Sequence, residues 1–487
     1  DLNMSDASNA KTFRWWNIAL LGFTTVWGLN NVINNFANQG LAVITSWILI
    51  MVLYFVPYTL MVGQLGSAFQ ESGGGVSSWI KLLSNNKLAY FAAWTYWVVH
   101  VPYLAQKPQI IMVSLSWLFK GNGSFIKTAS PLVVQGASLI IFLAFVWLAT
   151  KGTATLNNLG SIAGIAMFTM SMLFIILGVS APFITHVQIA TPNMTDIHTY
   201  IPKFDFQYFT TISMLVFAVG GSEKISPYVN KTKNASKEFP LGMIILAVMV
   251  AISAIMGSFA IGMIVNSNHI PADLMANGAY QAFQFLGNSF HVGNLFVWAF
   301  AITNTIASAA ALAISIDSPL RMLLGDADKK YIPKSLLKKN KKGIAINGYR
   351  MTAILVSILI VVPALGINGM NDLYNWLLNL NSIVMPMRYL WVFLAYMLLT
   401  KNLDKYKSDY MFTKNKYVGF GFGLWAFFLT AFACIMGMVP KMNMAQDPSS
   451  WWFQLALNIV TPIALIALGL ILPAIAKRTN KDDLDLE

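Results

Sequence analysis

Two stretches of the sequence decide the fold: Trp27-Gly28-Leu29-Asn30-Asn31 and Val219-Gly220-Gly221-Ser222-Glu223-Lys224. Each places glycine and polar residues near the middle of a segment of about 20 mostly apolar residues, the length that a helix needs to cross a bilayer. Glycine at such a point either lets two helices pack closely or lets one helix unwind. Because the two stretches lie at corresponding places in two halves of the chain, we interpret both as helix breaks.

The composition indicates whether water or lipid surrounds most of the chain. Of the 487 residues, 56% are hydrophobic and 10% are charged, whereas a soluble domain is about 25% charged. We therefore expect an all-α integral membrane protein. Its net charge of +13 requires no nucleic acid partner, because membrane proteins collect Lys and Arg on their cytoplasmic side.

Motifs for catalysis or metal binding are scarce in this sequence. Cys434 is the only cysteine, which excludes a disulfide within the chain, and the five histidines do not have the spacing of metal ligands. The sequence contains no nucleotide-binding loop and no catalytic constellation. We expect neither an enzyme nor a bound metal or cofactor.

Apolar runs predict twelve membrane spans, which places both termini on the same side of the membrane. The predicted spans cover residues 16–39, 42–66, 89–118, 131–150, 156–184, 207–229, 240–266, 289–321, 349–369, 373–400, 417–439 and 452–476. Spans one to five and six to ten form two consecutive blocks, and each block begins with a broken helix. This order predicts a five-plus-five inverted repeat followed by two further helices.

The chain divides accordingly into five parts. They are an N-terminal tail (1–15), a first repeat (16–184), a second repeat (207–400), helices eleven and twelve (417–476) and a charged C-terminal tail (477–487). We expect the C-terminal tail to be a solvated coil.

The distribution of basic residues predicts the orientation. When both termini face the cytoplasm, most of the 32 Lys and Arg residues lie on that side, and the outer loops carry Lys120, Lys127, Lys203 and Lys441. The excess of Lys over Arg and the many Asn residues favour a bacterial protein. We therefore expect a multi-pass protein of a bacterial plasma membrane with cytoplasmic termini.

A broken helix has a specific chemistry inside a membrane. The unwound backbone exposes N–H and C=O groups, which are tolerated at that depth only beside a cavity or within protein. The N-terminus of a half-helix attracts a carboxylate, and the carbonyl groups at a half-helix C-terminus attract an ammonium group. Two such breaks can hold the charged main-chain groups of an amino acid.

Three blocks of sequence resemble a known family. Residues 64–79, QLGSAFQESGGGVSSW, resemble the end of helix two in the amino acid–polyamine–organocation superfamily. Residues 221–223, GSE, and 234–242, NASKEFPLG, resemble its helix-six break and the entry to helix seven. The third block, which resembles the exit of helix eight and the loop after it, comprises residues 318–321, SPLR, residues 331–334, YIPK, and residues 341–343, KKG. Within the superfamily the chain is most similar to the glutamate/GABA antiporter-type branch.

The resemblance implies a LeuT-type fold and secondary transport of amino acids or amines by alternating access. It also implies that the substrate main chain lies between the two breaks, with Phe217 as a gating aromatic. The implied substrate contacts are Val26, Gly28, Leu29, Asn30, Asn31, Phe217, Gly220 and Gly221. The family usually carries small residues where this chain has Leu29 and Asn30, so side-chain amides are expected to add contacts here.

Ionisable residues inside predicted spans are costly, and each is a hypothesis of function. Asp317 and Arg321 have the i, i+4 spacing of an ion pair. We interpret Glu223, Lys224 and Arg388 as gating or coupling residues, and Lys107 as a substrate contact. Lys107 and Arg388 lack an obvious partner in the sequence. Helix carbonyl groups or an anionic substrate could offset their charge, and Lys107 could instead lose its proton.

These observations predict an amino acid exchanger with an acidic or neutral substrate, present as a monomer or homodimer. One alternative is a proton- or sodium-coupled symporter, in which Thr303, Asn304, Thr305, Ser308 and Ser315 could line a sodium site. Another alternative, from a different functional class, is a membrane sensor that binds amino acids without transporting them.

Overall fold

The computed structural model describes residues 11–69, 75–152, 154–325 and 328–486. Within these ranges the regular secondary structure is helical, apart from one isolated β-bridge between Phe13 and Thr232. Residues 70–74 of the helix-two motif, the first ten residues of the N-terminal tail and the last residue of the C-terminal tail lie outside the described residues.

The first half of the chain forms ten α-helices. They are α1 Trp15–Val26, α2 Leu29–Gln39, α3 Val43–Ile50, α4 Val56–Ala68, α5 Val76–Leu83, α6 Asn86–Val98, α7 His100–Lys120, α8 Phe125–Thr128, α9 Pro131–Ala149 and α10 Ala154–Ile184. A 3₁₀ turn, Gly40–Ala42, and a π turn, Met51–Phe55, join α2, α3 and α4 into one helical stretch.

The π turn has an identifiable cause. Pro57 has no N–H group to donate to the carbonyl group of Leu53, four residues earlier, and its ring would clash with that carbonyl in a regular helix. Trp425 takes over as the donor, with its Nε1 2.8 Å from Leu53 O. The helix therefore widens by one residue without leaving a carbonyl unsatisfied in lipid.

The second half forms thirteen α-helices. They are α11 Phe206–Phe209, α12 Ile212–Val219, α13 Ala235–Ile264, α14 Leu274–Ser289, α15 Leu295–Gly325, α16 Lys334–Leu337, α17 Ile346–Val361, α18 Met370–Val384, α19 Met387–Thr400, α20 Lys416–Gly437, α21 Pro448–Ala467, α22 Ile471–Thr479 and α23 Lys481–Leu484. Single 3₁₀ segments lie at Ile197–Tyr200, Ser222–Lys231, Val362–Leu365 and Leu468–Leu470.

All twelve predicted spans are occupied by helix. By length and composition, nine helical stretches in the described part of the chain could cross a membrane. The number is lower by three. Leu29–Ala68 is continuous over 40 residues and counts once, the helix that breaks at Gly220 has pieces too short to count, and the helices of predicted span three, Asn86–Val98 and His100–Lys120, are not among the nine. The amphipathic helix α14, which follows predicted span seven, was not expected. The count of twelve spans stays a prediction.

A buried polar network joins three of these helices, α7, α14 and α15. Asn304 on α15 donates to Ser114 Oγ on α7 at 3.0 Å and to Tyr280 OH on α14 at 2.8 Å. Hydrogen bonds of this kind hold helices together in lipid, where apolar contact alone gives little preference. The network fixes the relative positions of three walls of the cavity described below.

Contacts between loops place the described parts of both termini at one end of the bundle. In the N-terminal segment, Arg14 pairs with Glu238 at 2.9 Å, and Lys11 lies 4.0 Å from Asp409. Further contacts at this end join Tyr406 to Leu82, Asn86 to Asp328, Tyr90 to Tyr331, and Asn480 to Lys329, Ile332 and Lys334. The structure thus agrees with an even number of crossings.

The expectation of a coiled C-terminal tail is wrong. Its first residues continue α22, its later ones form α23, and Asn480 between them is fully buried. The Asn480 amide donates to Lys329 O at 2.8 Å and accepts from Lys334 N at 3.0 Å. These backbone partners hold the tail against the loop that ends at Lys334, which the charge pattern alone did not indicate.

Candidate functional site

The first helix break lies where the sequence predicts it. Trp27 (φ −83°, ψ 141°) and Gly28 (φ −157°, ψ 145°) are both extended, so α1 ends at Val26 and α2 begins at Leu29. The first N–H groups of a helix have no partner within it. The first turn of α2 therefore presents a partial positive charge at the break.

The second break is also present, with a different local geometry. The helix α12 ends at Val219, Gly220 is extended, and Gly221 has a positive φ of 97°. That φ favours glycine, because a side chain there would be strained. A Cβ atom on Gly220 would lie 2.0 Å from Cζ of Tyr389, so no larger residue fits unless the tyrosine moves.

A cavity of about 210 Å³ lies beside the two breaks, and we call it the central cavity. It is lined by Asn30, Asn31, Ile33, Asn34, Tyr103, Gln106, Lys107, Ile110, Val113, Phe217, Met275, Ala276, Ala279, Tyr280, Asn304, Tyr374, Leu378 and Asn381. Four predicted substrate contacts are among them: Asn30, Asn31, Lys107 and Phe217. The volume lies below the roughly 300–1,000 Å³ of pockets for drug-sized ligands, so the central cavity suits a small solute.

Lys107 supplies the formal charge in the lining of the central cavity. Its Nζ lies 4.8 Å from the centre of the Tyr103 ring. None of the ion pairs formed by the described residues includes Lys107. Lys107 is half-buried. A cation–π contact offsets part of the cost of removing its ammonium group from water, and the remainder leaves the cavity attractive to an anion.

Two amide side chains in the central cavity have unused hydrogen-bonding atoms, and sequence reasoning missed both. Gln106 and Asn381 are each 3% exposed. Within the described part of the chain, the Nε2 of Gln106 and the Oδ1 of Asn381 have no hydrogen-bond partner. An unpaired buried polar group costs about 1–3 kcal/mol, so each of these atoms favours a ligand that forms the missing hydrogen bond.

The structure brings Glu223 and Arg388 together away from the central cavity. Arg388 Nε lies 3.5 Å from Glu223 Oε1, within ion-pair distance but without hydrogen-bond alignment. The Glu223 carboxylate also accepts from Tyr58 OH and from Tyr96 OH. The hypothesis that Arg388 lacks a partner is therefore wrong, since its partner lies 165 residues earlier, whereas Asp317 and Arg321 pair as predicted at 2.6 Å.

The other predicted site residues lie near the breaks but not in the lining of the central cavity. Val26 and Leu29 are buried in the apolar core, and Gly220 faces Tyr389. Gly28 and Gly221 contribute backbone at the two breaks, and Lys224 is exposed. The side chains that line the cavity come mainly from α2, α7, α14 and α18.

Of the polar residues considered for a sodium site, three make local hydrogen bonds, and Asn304 donates to α7 and α14. Thr303 and Thr305 donate to carbonyl groups one turn earlier on α15, and Ser308 donates to Asn304. Among the described residues, no three His, Cys, Asp or Glu side chains form a group that could hold a metal ion.

Comparisons with known proteins agree with this architecture. The chain is 57% identical to the aspartate/glutamate permease AcaP of Lactococcus lactis subsp. cremoris, over 98% of both chains. It is 25% identical to the glutamate/gamma-aminobutyrate antiporter of Lactococcus lactis subsp. lactis, over 85% of this chain and 81% of that one.

A solved structure, MhsT in complex with L-phenylalanine, shares the LeuT-type fold with a TM-score of 0.54 at 14% identity, over 87% of this chain and 98% of that one. The family model described as amino acid permease matches residues 13–465. The relatives are transporters, so the expectation that this chain is not an enzyme is confirmed. The chain belongs to the amino acid permease family, within the amino acid–polyamine–organocation superfamily.

Proposed function

We propose that this permease exchanges acidic amino acids, aspartate or glutamate, through the central cavity by alternating access. The observation that carries the proposal is Lys107, a cation in the cavity wall that has no acidic partner among the described residues. A fixed charge in a site of low dielectric constant selects strongly for a ligand of opposite sign. A substrate side-chain carboxylate provides that charge.

The remaining groups of such a substrate match the rest of the central cavity. The unpaired Gln106 Nε2 can donate a second hydrogen bond to the side-chain carboxylate beside Lys107. The first turn of α2, which carries Asn30 and Asn31, favours the α-carboxylate. The unpaired Asn381 Oδ1 can accept from the α-ammonium group, and the free carbonyl groups at the end of α12 favour the same charge.

The names of the two bacterial relatives support the same substrate class. One is named for aspartate and glutamate, and the other is named as an antiporter of glutamate and gamma-aminobutyrate. The second name favours exchange over ion-coupled uptake. The proton- or sodium-coupled symporter remains the alternative mechanism, and the non-transporting sensor remains the alternative outside transport.

The Glu223–Arg388 pair is suited to a gating role. It joins the segment just after the second break to α19, and that segment runs on to the bridge between Thr232 and Phe13 near the N-terminus. Opening a path on that side would require the two elements to separate. We infer that this pair, together with Lys224 and Phe217, controls access from the cytoplasmic side of a bacterial plasma membrane.

The test of the substrate class is Lys107→Met in proteoliposomes, compared with Lys120→Met. Lys120 lies on the same helix but is exposed at its end. Losing a desolvated charge partner costs about 2–5 kcal/mol, so we expect the KM for aspartate to rise at least about 30-fold. The KM for asparagine, which lacks the side-chain charge, should change much less.

The control variant should keep the wild-type KM for aspartate. Equal effects of Lys107→Met on aspartate and asparagine would show that Lys107 is structural. External substrate should also accelerate efflux of preloaded aspartate several-fold. An efflux rate that does not change with external substrate but changes with a sodium or proton gradient would favour the symporter. Binding of aspartate without transport would favour the sensor.

A further inference from the structure

A second cavity, of about 240 Å³, lies between the end of α15 and the start of α17, and we call it the basic cavity. Leu337 of the short helix α16 forms part of its wall. That helix begins at Lys334, whose N–H donates to Asn480 of the C-terminal tail at 3.0 Å. The basic cavity therefore lies at the end of the bundle that carries the described parts of both termini. Among the described residues, none lines both this cavity and the central cavity.

The lining of the basic cavity has an excess of positive charge. Its carboxylate belongs to Asp317, and both oxygens are occupied: Tyr349 OH donates to Oδ1 at 2.6 Å, and Arg321 Nε lies 2.6 Å from Oδ2. The side chain of Arg321 is 71% exposed, so the other N–H groups of its guanidinium are open to a ligand. Lys339 lines the same cavity and has no ion-pair partner among the described residues. The wall thus offers charged donors to an anion.

The basic residues around the cavity are numerous and are held by an ordered turn. Residues 317–350 contain nine Lys and Arg residues against three Asp residues. Asn340 Oδ1 accepts from Lys342 N and Ile344 N, each at 3.0 Å, and Asn340 N donates to Ile344 O at 2.9 Å. Because Ile344 is buried, the turn is anchored to the bundle. Lys339 therefore extends from a fixed backbone, which lowers the entropy cost of binding an anion.

Exposed apolar side chains lie next to these charges on both helices. Met322 follows Arg321 on α15 and is exposed. On α17, the exposed residues Arg350, Ile354 and Ile358 follow one another at i, i+4 spacing, which places them on one face of the helix. This face is charged at the start of the helix and apolar one and two turns further on. A phospholipid has the same order of charged headgroup and apolar chains, whereas a soluble anion needs no apolar surface.

We propose that the basic cavity binds the phosphate headgroup of an anionic phospholipid, whose acyl chains lie along the exposed faces of α15 and α17. Basic pockets between membrane helices are suited to such headgroups. The bound lipid bridges α15 and the loop before α17 through Arg321 and Lys339. Because Asn304 on α15 also holds α7 and α14, the lipid stabilises the helix that orders the walls of the central cavity. Lipid binding here does not depend on which substrate the permease carries.

Native mass spectrometry of the purified full-length protein in detergent, titrated with dioleoylphosphatidylglycerol, counts the bound lipid and gives its Kd. A basic residue near a membrane surface contributes about 1 kcal/mol to the attraction of an anionic lipid, so Lys339→Gln should raise the Kd about fivefold. Lys407→Gln is the matched control and should keep the wild-type Kd, since Lys407 is an exposed lysine at the same end of the bundle. Zwitterionic dioleoylphosphatidylcholine should bind the wild type more weakly, and Lys339→Gln should not affect it.

A double variant, Asp317→Asn with Arg321→Gln, separates a specific site from general attraction between charges. It removes one negative and one positive charge, so the net charge stays at +13. The new amide oxygen can still accept from Tyr349 OH. We expect the Kd for dioleoylphosphatidylglycerol to rise several-fold, because the guanidinium donors are lost. Thermal unfolding without added lipid checks that the variant is folded, and Lys339→Gln, which alters an exposed side chain, decides the question if it is not.

Three results would overturn the lipid site. Equal Kd values of the wild type for the two lipids would show that charge is not recognised. An equal rise in Kd for Lys407→Gln and Lys339→Gln would show that the lipid responds to surface charge in general and not to the basic cavity. Displacement of the bound lipid by millimolar inorganic phosphate would show that the cavity takes a soluble anion.

Discussion

The two helix breaks look alike in the sequence but differ in their surroundings. A Cβ atom on Gly28 would meet a single nearby atom, Asn31 Nδ2 at 3.7 Å, whereas a Cβ atom on Gly220 would overlap the Tyr389 ring. The residues just after the first break line the central cavity, and those just after the second lead to the buried Glu223–Arg388 pair. One break faces open, polar space, and the other is closely packed.

The difference shows that glycine can stand at a break in a membrane helix for two separate structural reasons. At the first break the backbone is extended and any residue could adopt its φ and ψ, so glycine there leaves room beside the cavity. At the second break glycine is required by close approach at Gly220 and by the positive φ of Gly221. We expect ligand binding to depend on the first break and folding and gating to depend on the second.

The largest effect that would test this difference is expected for Glu223→Gln. The substitution leaves the Arg388 guanidinium buried without its counter-charge, which costs about 3–5 kcal/mol. The midpoint temperature of thermal unfolding in detergent should fall strongly, and transport should be lost. The double variant Glu223→Gln with Arg388→Met should recover much of the stability, because no uncompensated charge remains. A single variant as stable as wild type would show that the pair contributes nothing at the second break.

The next largest effect is expected for Gly220→Ala, compared with Gly28→Ala as its matched control. The new methyl group overlaps Tyr389, and such overpacking costs about 1–3 kcal/mol. The same methyl group at Gly28 enters free space, so the unfolding free energy should change by about 0.5 kcal/mol or less. Thermal unfolding of the two variants measures the contrast directly. Equal destabilisation would show that the two breaks are packed alike.

The smallest effect is expected for Ser222→Ala at the second break. Ser222 Oγ is buried, and no partner for it is found among the described residues, so its removal should leave stability unchanged or slightly raise it. The KM for aspartate should also be unchanged. A clear rise in that KM would mean that Ser222 binds substrate and that the second break, like the first, contributes to ligand recognition.

The sequence predicted the features that depend on local chemistry. Glycines and a lysine stand out in apolar runs, so the sequence located both breaks and singled out Lys107. Lys107 and Phe217 line the central cavity, and their contact with substrate stays a prediction. Gln106 and Asn381 were missed because an amide in a membrane helix is common, and only packing shows whether a neighbour satisfies it. The partner of Arg388 could not be inferred for a similar reason, since Glu223 reaches it only after two distant helices meet.

The same limit applies to Asn371, Asn375 and Asn379, which follow one another on α18. Their i, i+4 spacing is visible in the sequence, but the carbonyl groups of Ala272 and Gly437 that orient them belong to other elements. The error over the C-terminal tail has a different origin. The tail was expected to be exposed because it is rich in charge. Its composition did not indicate that Asn480 is buried, because the backbone partners of Asn480 come from a loop far earlier in the chain.

The burial of Asn480 also constrains how the protein is made. Its amide completes the hydrogen bonds of a loop that ends 146 residues earlier, at Lys334. At a synthesis rate of roughly 5–20 residues per second, the ribosome needs about 7–30 s to cover that distance. During this interval the loop keeps its contacts with Asn86 and Tyr90, but its hydrogen bonds with Asn480 are missing while four further predicted spans are inserted. This end of the bundle is therefore completed late in biosynthesis, and loss of the Asn480 amide would leave a fully inserted protein with an unfinished surface for quality-control proteases to recognise.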